Sequence, residues 1–269
     1  MAGAYTIVFA NAKGGVGKTT SAVHVAGAFA ETGAETVVVD LDPQASATRH
    51  LGLDPDTAGV TITDVLIEPS AGLARAVAPT RYERLACVPA HASLGEMESE
   101  LSVIGGREDL LRDAWRSDPP TARMAVLDVP PALSLYTVNA LRTADAVVVP
   151  VQTHPFALNT VPRTLDLIDR VRRRLNPGLR LLGFLATLYD RRTRVGRECL
   201  ARMEAEWGEA LLGTAIPVNV ALAEAAREGR LLYEIDPESA GAAAYYDVTR
   251  EIAERVHARP VRVPAGGAA

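Results

Sequence analysis

The run Asn11 to Thr20, N-A-K-G-G-V-G-K-T-T, stands between an apolar, β-branched stretch, Thr6 to Ala10, and a helix-periodic stretch, Thr19 to Glu31. A strand that feeds a glycine-rich turn and then opens a helix is the setting in which G-K-T becomes a phosphate loop. Gly14, Gly15 and Gly17, with Val16 between them, let backbone N–H groups turn inward around phosphate oxygens. The helix N-terminus at Thr19 and Thr20 adds partial positive charge. Lys18 is placed to reach the β- and γ-phosphates, and the Thr19 hydroxyl to coordinate Mg²⁺, so ATP with Mg²⁺ is the expected ligand.

Outward from this loop, short apolar runs recur at Thr36 to Asp40, Leu85 to Pro89, Met124 to Asp128, Ala146 to Val151, Leu181 to Leu188 and Leu211 to Ile216. Helix periodicity fills the gaps at Gly106 to Trp115, Ser134 to Thr143, Ala157 to Leu175, Arg197 to Trp207 and Ala240 to Val256. Such alternation predicts an α/β fold, a mostly parallel twisted sheet with helices on both faces. One domain is expected over residues 1–259, with a disordered tail at 260–269. The Pro and Gly clusters at Asp54 to Gly59, Glu68 to Gly72 and Ser117 to Thr121 read as loops.

With 269 residues and 48% of them hydrophobic, the chain can bury one substantial core. Cys87 and Cys199 fit neither a disulfide framework nor a metal spacing, so a reducing cytosol is the expected compartment. No apolar run approaches the ~18 residues that span a bilayer, and no membrane partner is expected. The net charge of −5 hides an asymmetry, because Arg163 to Arg202 holds 11 arginines against four acids. Of the 28 basic residues only Lys13 and Lys18 are lysines, and both lie in the loop, which points to a chemical demand for a compact ammonium there.

Three aspartates end apolar strands, where α/β sheets place their ligands: Asp40 and Asp42 in V-V-V-D-L-D-P-Q, and Asp128 in A-V-L-D-V-P-P. Lys13, a second lysine at the start of the loop, makes the motif a deviant Walker A. With V-D-L-D-P-Q (Val39 to Gln44), P-P-A-L-S (Pro130 to Ser134), V-V-P-V-Q (Val148 to Gln152), Tyr189 to Thr193 and I-P-x-N (Ile216 to Asn219), the chain resembles the Soj/ParA partitioning branch of the ParA/MinD group.

That resemblance implies a P-loop ATPase that forms a homodimer on ATP, with Lys13 crossing to the partner's nucleotide. Asp42 would position the attacking water, Asp40 and Asp128 would hold Mg²⁺ through its water shell, and Pro217 and Asn219 would line the adenine pocket. It also implies non-specific DNA binding released by a ParB-like stimulator, and a bacterial, cytoplasmic, nucleoid-associated location. Arg191, Arg192, Arg194 and Arg197 fall where family members carry DNA-contacting basic residues, and Arg227 and Arg230 lie nearby. Against the family's arginine-bearing I-P-R-N-V-R and D-P-R-S-R-G, this chain reads I-P-V-N-V-A and D-P-E-S-A-G, so Val218, Ala221, Glu238 and Ala240 remove positive charge.

A MinD-like membrane ATPase would need a C-terminal amphipathic helix, which A-R-P-V-R-V-P-A-G-G-A-A does not provide. An iron-protein-like reductase would need cysteines in a cluster context. A small-molecule synthetase gives no reason for D-L-D-P-Q beside Lys13. A ParA-like ATPase that positions a protein cargo shares every motif and stays open.

Overall fold

A computed structural model describes residues 3–132 and 134–258. The tail expected at 260–269, and with it the boundary at 259, lies outside the described residues. Strand β1 (Tyr5–Phe9) leads through the loop into α1 (Lys18–Glu31), and β2 (Thr36–Asp40) into α2 (Ser46–His50). Then come α3 (Ile62–Ile67), β3 (Ala78–Pro79), β4 (Leu85–Val88), α4 (Ser93–Leu101) and α5 (Leu110–Ser117). Strand β5 (Met124–Asp128) precedes α6 (Leu135–Thr143), β6 (Ala146–Gln152) precedes α7 (Pro155–Leu158) and α8 (Val161–Arg174), and β7 (Arg180–Thr187) precedes α9 (Arg194–Trp207). Helices α10 (Val220–Glu228), α11 (Leu232–Ile235) and α12 (Ala240–His257) follow.

The seven strands order as β3-β4-β2-β5-β1-β6-β7, all parallel except the β3–β4 edge. Successive side chains alternate between two cores. Val8, Val37, Val39, Ala125 and Leu127 join one, and Ile7, Phe9, Val38 and Val126 join the other. Helices cover both faces, which is why these strands read as continuous apolar runs with no polar face.

Two expectations need correction, and one element was not expected. Leu211 to Ile216 is not a strand; it meets β7 through one bridge, Phe184 with Leu211, and two hydrogen bonds, from the Leu212 N–H to the Phe184 carbonyl and from the Ile216 N–H to the Ala186 carbonyl, both at 2.8 Å. Leu212 and Ile216 are four residues apart and their acceptors only two, so no ladder forms between them, and before Leu212 a side chain takes over: Arg255 donates from Nη1 to the Leu182 carbonyl at 2.7 Å and from Nη2 to the Leu211 carbonyl at 2.9 Å. A register shift at Val147/Val148 opposite Gly183 makes room for that guanidinium; a Cβ on Gly183 would sit 2.6 Å from Arg255 Nη1. The helix expected over Ala157 to Leu175 divides into α7 and α8, because Pro162 within a continuous helix would oppose the carbonyl four residues back. Restarting at Val161 puts Pro162 in a first turn, where its missing N–H costs nothing. The edge strand β3 escapes periodicity because it is two residues long, and its proline suits an edge.

Eleven of the fourteen residues of α1 are buried between the sheet and α12, so its polar groups must find partners inside. His24 does so on both sides: Nδ1 lies 2.7 Å from the Thr20 carbonyl, and Nε2 accepts the Leu232 N–H at 3.0 Å. The proton therefore sits on Nδ1 and the ring is neutral. Tyr245 stacks on it at 4.9 Å and His50 meets it edge-on at 5.1 Å. Burial, and then the neighbouring His50, lowers the His24 pKa to about 3, and burial lowers that of His50 to about 4.

Unfolded histidine takes up a proton near pH 6.5, so the stability each ring contributes is complete above that value and is lost as pH falls toward the folded pKa. Between pH 7.5 and 5.5 each buried ring should cost the fold about 1.4 kcal/mol. Urea titrations of wild type and His50→Asn at the two pH values should differ in their pH dependence by that amount. Parallel curves would show that His50 is not held neutral.

Candidate nucleotide site

The loop leaves β1 at the C-terminal edge of the sheet and turns through Gly15 (φ 69°) and Gly17 (φ 79°), left-handed conformations that favour glycine. Asn11, almost fully buried, donates to the Pro150 carbonyl at 2.7 Å and accepts the Lys13 N–H at 3.0 Å. Lys18 is the first residue of α1 and is 6% exposed, with Nζ donating to the Lys13 carbonyl at 2.9 Å. Burial lowers its pKa, and the Asp128 and Asp42 charges oppose that shift. The Lys13 side chain is half-buried and makes no ion pair among the described residues. Thr19 and Thr20 are half-buried in the first turn.

Sheet register brings the carboxylates to this loop. Phe9 pairs with Asp128 across β1 and β5, and Asp40 pairs with Asp128 across β5 and β2. In-register partners on adjacent strands point to the same face, so the two aspartates stand side by side. Asp40 is fully buried and its oxygens are engaged: Oδ1 accepts the Asp42 N–H at 3.1 Å, and Oδ2 accepts the Thr48 N–H at 2.9 Å and the Thr48 hydroxyl at 2.8 Å. It thereby serves the open N-terminal turn of α2. Burial pushes its carboxyl up to about 6 despite these bonds.

Asp128 is buried with neither oxygen hydrogen-bonded among the described residues. Burial and the Asp40 charge hold its carboxyl well above the usual carboxylate range, while the Thr19 hydroxyl and the Lys18 ammonium pull the other way. A divalent cation supplies what such a pair lacks, so the donor set fits Mg²⁺. Among the described residues no group of three or more His, Cys, Asp or Glu could hold a metal alone. A cation here would draw further oxygens from phosphate and water, as Mg²⁺ commonly does. Asp42 sits on the turn after β2, where Oδ1 accepts the Gln44 N–H at 2.9 Å and its carbonyl accepts the Ala45 N–H at 2.8 Å. Ala45 is held at φ 51°, an uncommon conformation for a residue with a Cβ, at the foot of this turn.

On the other side of the loop, the stretch Ile216–Val218 runs along the end of β7, with the Tyr189 N–H donating to the Ile216 carbonyl at 2.9 Å. Pro217 is half-buried there, and Asn219 caps α10 by accepting the Ala221 N–H at 2.9 Å. Sequence patterns did not single out Thr48, Thr164 or Thr187. The Thr164 hydroxyl accepts the Ala12 N–H at 3.1 Å, and the Thr187 hydroxyl donates to the Val16 carbonyl at 2.9 Å. No motif spacing marks them, since they reach the loop from α8 and β7.

The candidate DNA-facing arginines are exposed, except the half-buried Arg230, and mostly engaged. Arg192 pairs with Asp190 at 2.9 Å, Arg194 with Glu198 at 2.6 Å, Arg227 with Glu228 at 3.5 Å and Arg230 with Glu234 at 2.9 Å. Arg197 braces the turn through the Arg191 and Arg192 carbonyls, and Arg191 makes no ion pair among the described residues. On α8, Arg163, Arg170 and Arg174 are exposed and likewise unpaired among the described residues.

Residues 4–181 match the family described as an AAA domain. The chain is 41% identical over 250 residues to the chromosome-partitioning ATPase Soj of Thermus thermophilus, covering 93% of this chain and 96% of that one. It is 36% identical over 259 residues to the chromosome-partitioning protein ParA of Caulobacter vibrioides, covering 95% and 96%. Among solved structures it resembles a Mycobacterium smegmatis protein described as cobyrinic acid a,c-diamide synthase with bound ATP analog and magnesium, at a TM-score of 0.82 and 32% identity over 97% of this chain and 99% of that one. Sheet order, loop and strand-end aspartates thus agree with full-length sequence similarity, and the chain belongs to the AAA-domain family, in its Soj/ParA branch of partitioning ATPases.

Proposed function

We propose that this chain is an ATP-driven partitioning switch. Two copies close on ATP and Mg²⁺, the closed pair holds duplex DNA without sequence preference, and a ParB-like partner releases it by stimulating hydrolysis to ADP and phosphate. The observation that carries the reading is the unpartnered, buried Asp128 carboxylate beside Asp40, facing a phosphate loop that contains the chain's only two lysines. Its setting is the bacterial cytoplasm, on the nucleoid.

Lys18, with Gly14, Gly15, Val16, Gly17, Thr19 and Thr20, cradles the phosphates. Thr19 and Asp128, with Asp40 behind, would hold Mg²⁺, which when bound neutralises charge on the β- and γ-oxygens. Asp42, its rotamer fixed through Oδ1, offers Oδ2 to the attacking water. Lys13 extends from the loop mouth to the nucleotide of a second copy and offsets charge that develops as the γ-phosphoryl leaves. Pro217 and Asn219 line the adenine side.

Duplex binding falls to exposed arginines. The ion pairs of Arg192, Arg194, Arg227 and Arg230 are surface pairs, worth about 0–1 kcal/mol each, so exchanging a carboxylate for a DNA phosphate is cheap. Arg191 and Arg197 flank them, and the α8 arginines add to the positive field.

In sedimentation with ATP, Lys13→Ala should stay monomeric while wild type dimerises; an ATP-dependent dimer in the variant rejects the trans role. Asp42→Ala should keep the ATP-bound dimer and lose turnover by about 100-fold or more, and wild-type turnover would remove Asp42 from the mechanism. Replacing Arg192 and Arg194 by Gln should weaken retention on any duplex and flatten the log–log salt slope by about one per lost phosphate contact. An unchanged slope would place the duplex elsewhere. ATP turnover that rises with DNA and a ParB-like protein separates this switch from a small-molecule synthase; a response to DNA without one to a ParB-like protein favours carriage of a protein cargo.

A further inference from the structure

The phosphate loop is held from outside its own motif by two buried hydroxyls that reach opposite ends of it. Thr164, on α8, is 2% exposed and accepts the Ala12 N–H at 3.1 Å, while its own proton has the Asn11 Oδ1 at 3.5 Å and the Thr160 carbonyl at 3.4 Å within reach. Thr187, the last residue of β7, is 1% exposed and donates to the Val16 carbonyl at 2.9 Å. Neither bond belongs to a sheet ladder or a helix; each satisfies a loop backbone group.

We propose that Thr164 and Thr187 are positioning residues with separable tasks, Thr164 setting the Lys13 end of the loop and Thr187 the Gly17 end. This rests on the reading of the loop as an ATP site. A peptide unit is planar, with its C=O and N–H antiparallel. Pinning the Val16 carbonyl toward β7 therefore turns the Gly17 N–H the other way, away from β7, as phosphate capture requires. Pinning the Ala12 N–H to Thr164 fixes the Asn11–Ala12 peptide, and the Asn11 side chain fixes the next one by accepting the Lys13 N–H at 3.0 Å. With both amides held, the direction in which Lys13 leaves the loop is fixed by α8 together with the Asn11 side chain, and not by the glycines that follow.

Thr187 has a second connection. The backbone beyond it passes through Leu188, whose φ of 51° is uncommon for a branched side chain, to Tyr189, which exchanges hydrogen bonds with Ile216 and Val218 on either side of Pro217. One short segment thus ties the Gly17 end of the loop to the adenine side. The Leu188 carbonyl is in turn held by the Thr153 hydroxyl at 3.1 Å. Phosphate and base contacts share a single anchor, so Thr187 governs affinity. Thr164 touches only the approach to Lys13, so it governs what Lys13 does.

The test compares valine, which removes the hydroxyl at nearly constant shape, with serine, which keeps it. Using a fluorescent ATP analogue, Thr187→Val should bind about tenfold more weakly than wild type, with Thr187→Ser within about twofold. Thr164→Val should bind the analogue within about threefold of wild type yet lose about tenfold in turnover and in ATP-dependent dimerisation, both recovered by Thr164→Ser. Wild-type affinity in Thr187→Val, or wild-type turnover and dimerisation in Thr164→Val, overturns the assignment. Should a valine variant fail to fold, amide exchange of the wild-type chain decides: protection of the Ala12 N–H supports the Thr164 clamp, and free exchange overturns it. Failure of the wild type itself to bind ATP would instead overturn the nucleotide-site reading.

Discussion

The register of β1, β5 and β2 is the constraint on which the site depends. Phe9, Asp128 and Asp40 are in-register partners across three neighbouring strands, so the mouth of the loop and two carboxylates arrive at one edge together. A slip of one residue would send an aspartate to the opposite face and into the second apolar core. Nothing in the loop could compensate for that. The strands are accordingly packed on both faces, with Val8, Val39 and Leu127 on one side and Phe9, Val38 and Val126 on the other. Each layer specifies the same register.

Within that frame the electrostatics oppose stability. Asp40 and Asp128 are both fully buried and adjacent, and each raises the energy of charging the other. Asp40 is supported by Thr48 and by its own turn, and Thr48 passes the constraint on by accepting the Ala90 N–H at 3.0 Å. Asp128 has no such support, and its neighbour Lys18 is bound to a loop carbonyl. An apolar residue at Asp128 would suit the fold better, which is why its carboxylate points to a ligand and not to packing.

How much of this could be read in the sequence depends on whether cause and effect were local. The loop, the strand-end aspartates and the alternation of elements are local patterns, and they place the phosphate cradle and the parallel sheet. The expected strand at Leu211 to Ile216 has the right residues but forms no ladder: Leu212 and Ile216, four residues apart, bond to the Phe184 and Ala186 carbonyls, two residues apart, and Arg255, more than forty residues from Leu211, caps the Leu182 carbonyl. Pro162 was visible in the sequence and decides where α8 begins, yet apolar periodicity runs through it unbroken. Thr48, Thr164 and Thr187 were illegible for the same reason as Arg255. A hydroxyl on one element that satisfies a backbone group on another leaves no spacing to find. The short α3 had a local sign that periodicity overlooks: Thr61 and Asp64 form a reciprocal cap, with the Asp64 carboxylate accepting the Thr61 N–H at 2.8 Å.

The confinement of lysine to the loop follows from the room available. Lys18 is 6% exposed, and its ammonium already gives one bond to the Lys13 carbonyl. A compact head with three rotatable donors can keep that bond and still turn toward phosphate, whereas a planar guanidinium with five fixed donors would need partners in its own plane within a buried site. Burial also favours the smaller ion only while an anion is near; it lowers the Lys18 pKa, and Asp128 and Asp42 hold against it. On the surface the balance reverses. There Arg192 meets Asp190 through two nitrogens, at 2.9 and 3.0 Å, a planar geometry suited equally to a carboxylate or to a phosphate. The same chain therefore places lysine where space is short and arginine where an exposed anion can be met through two parallel bonds.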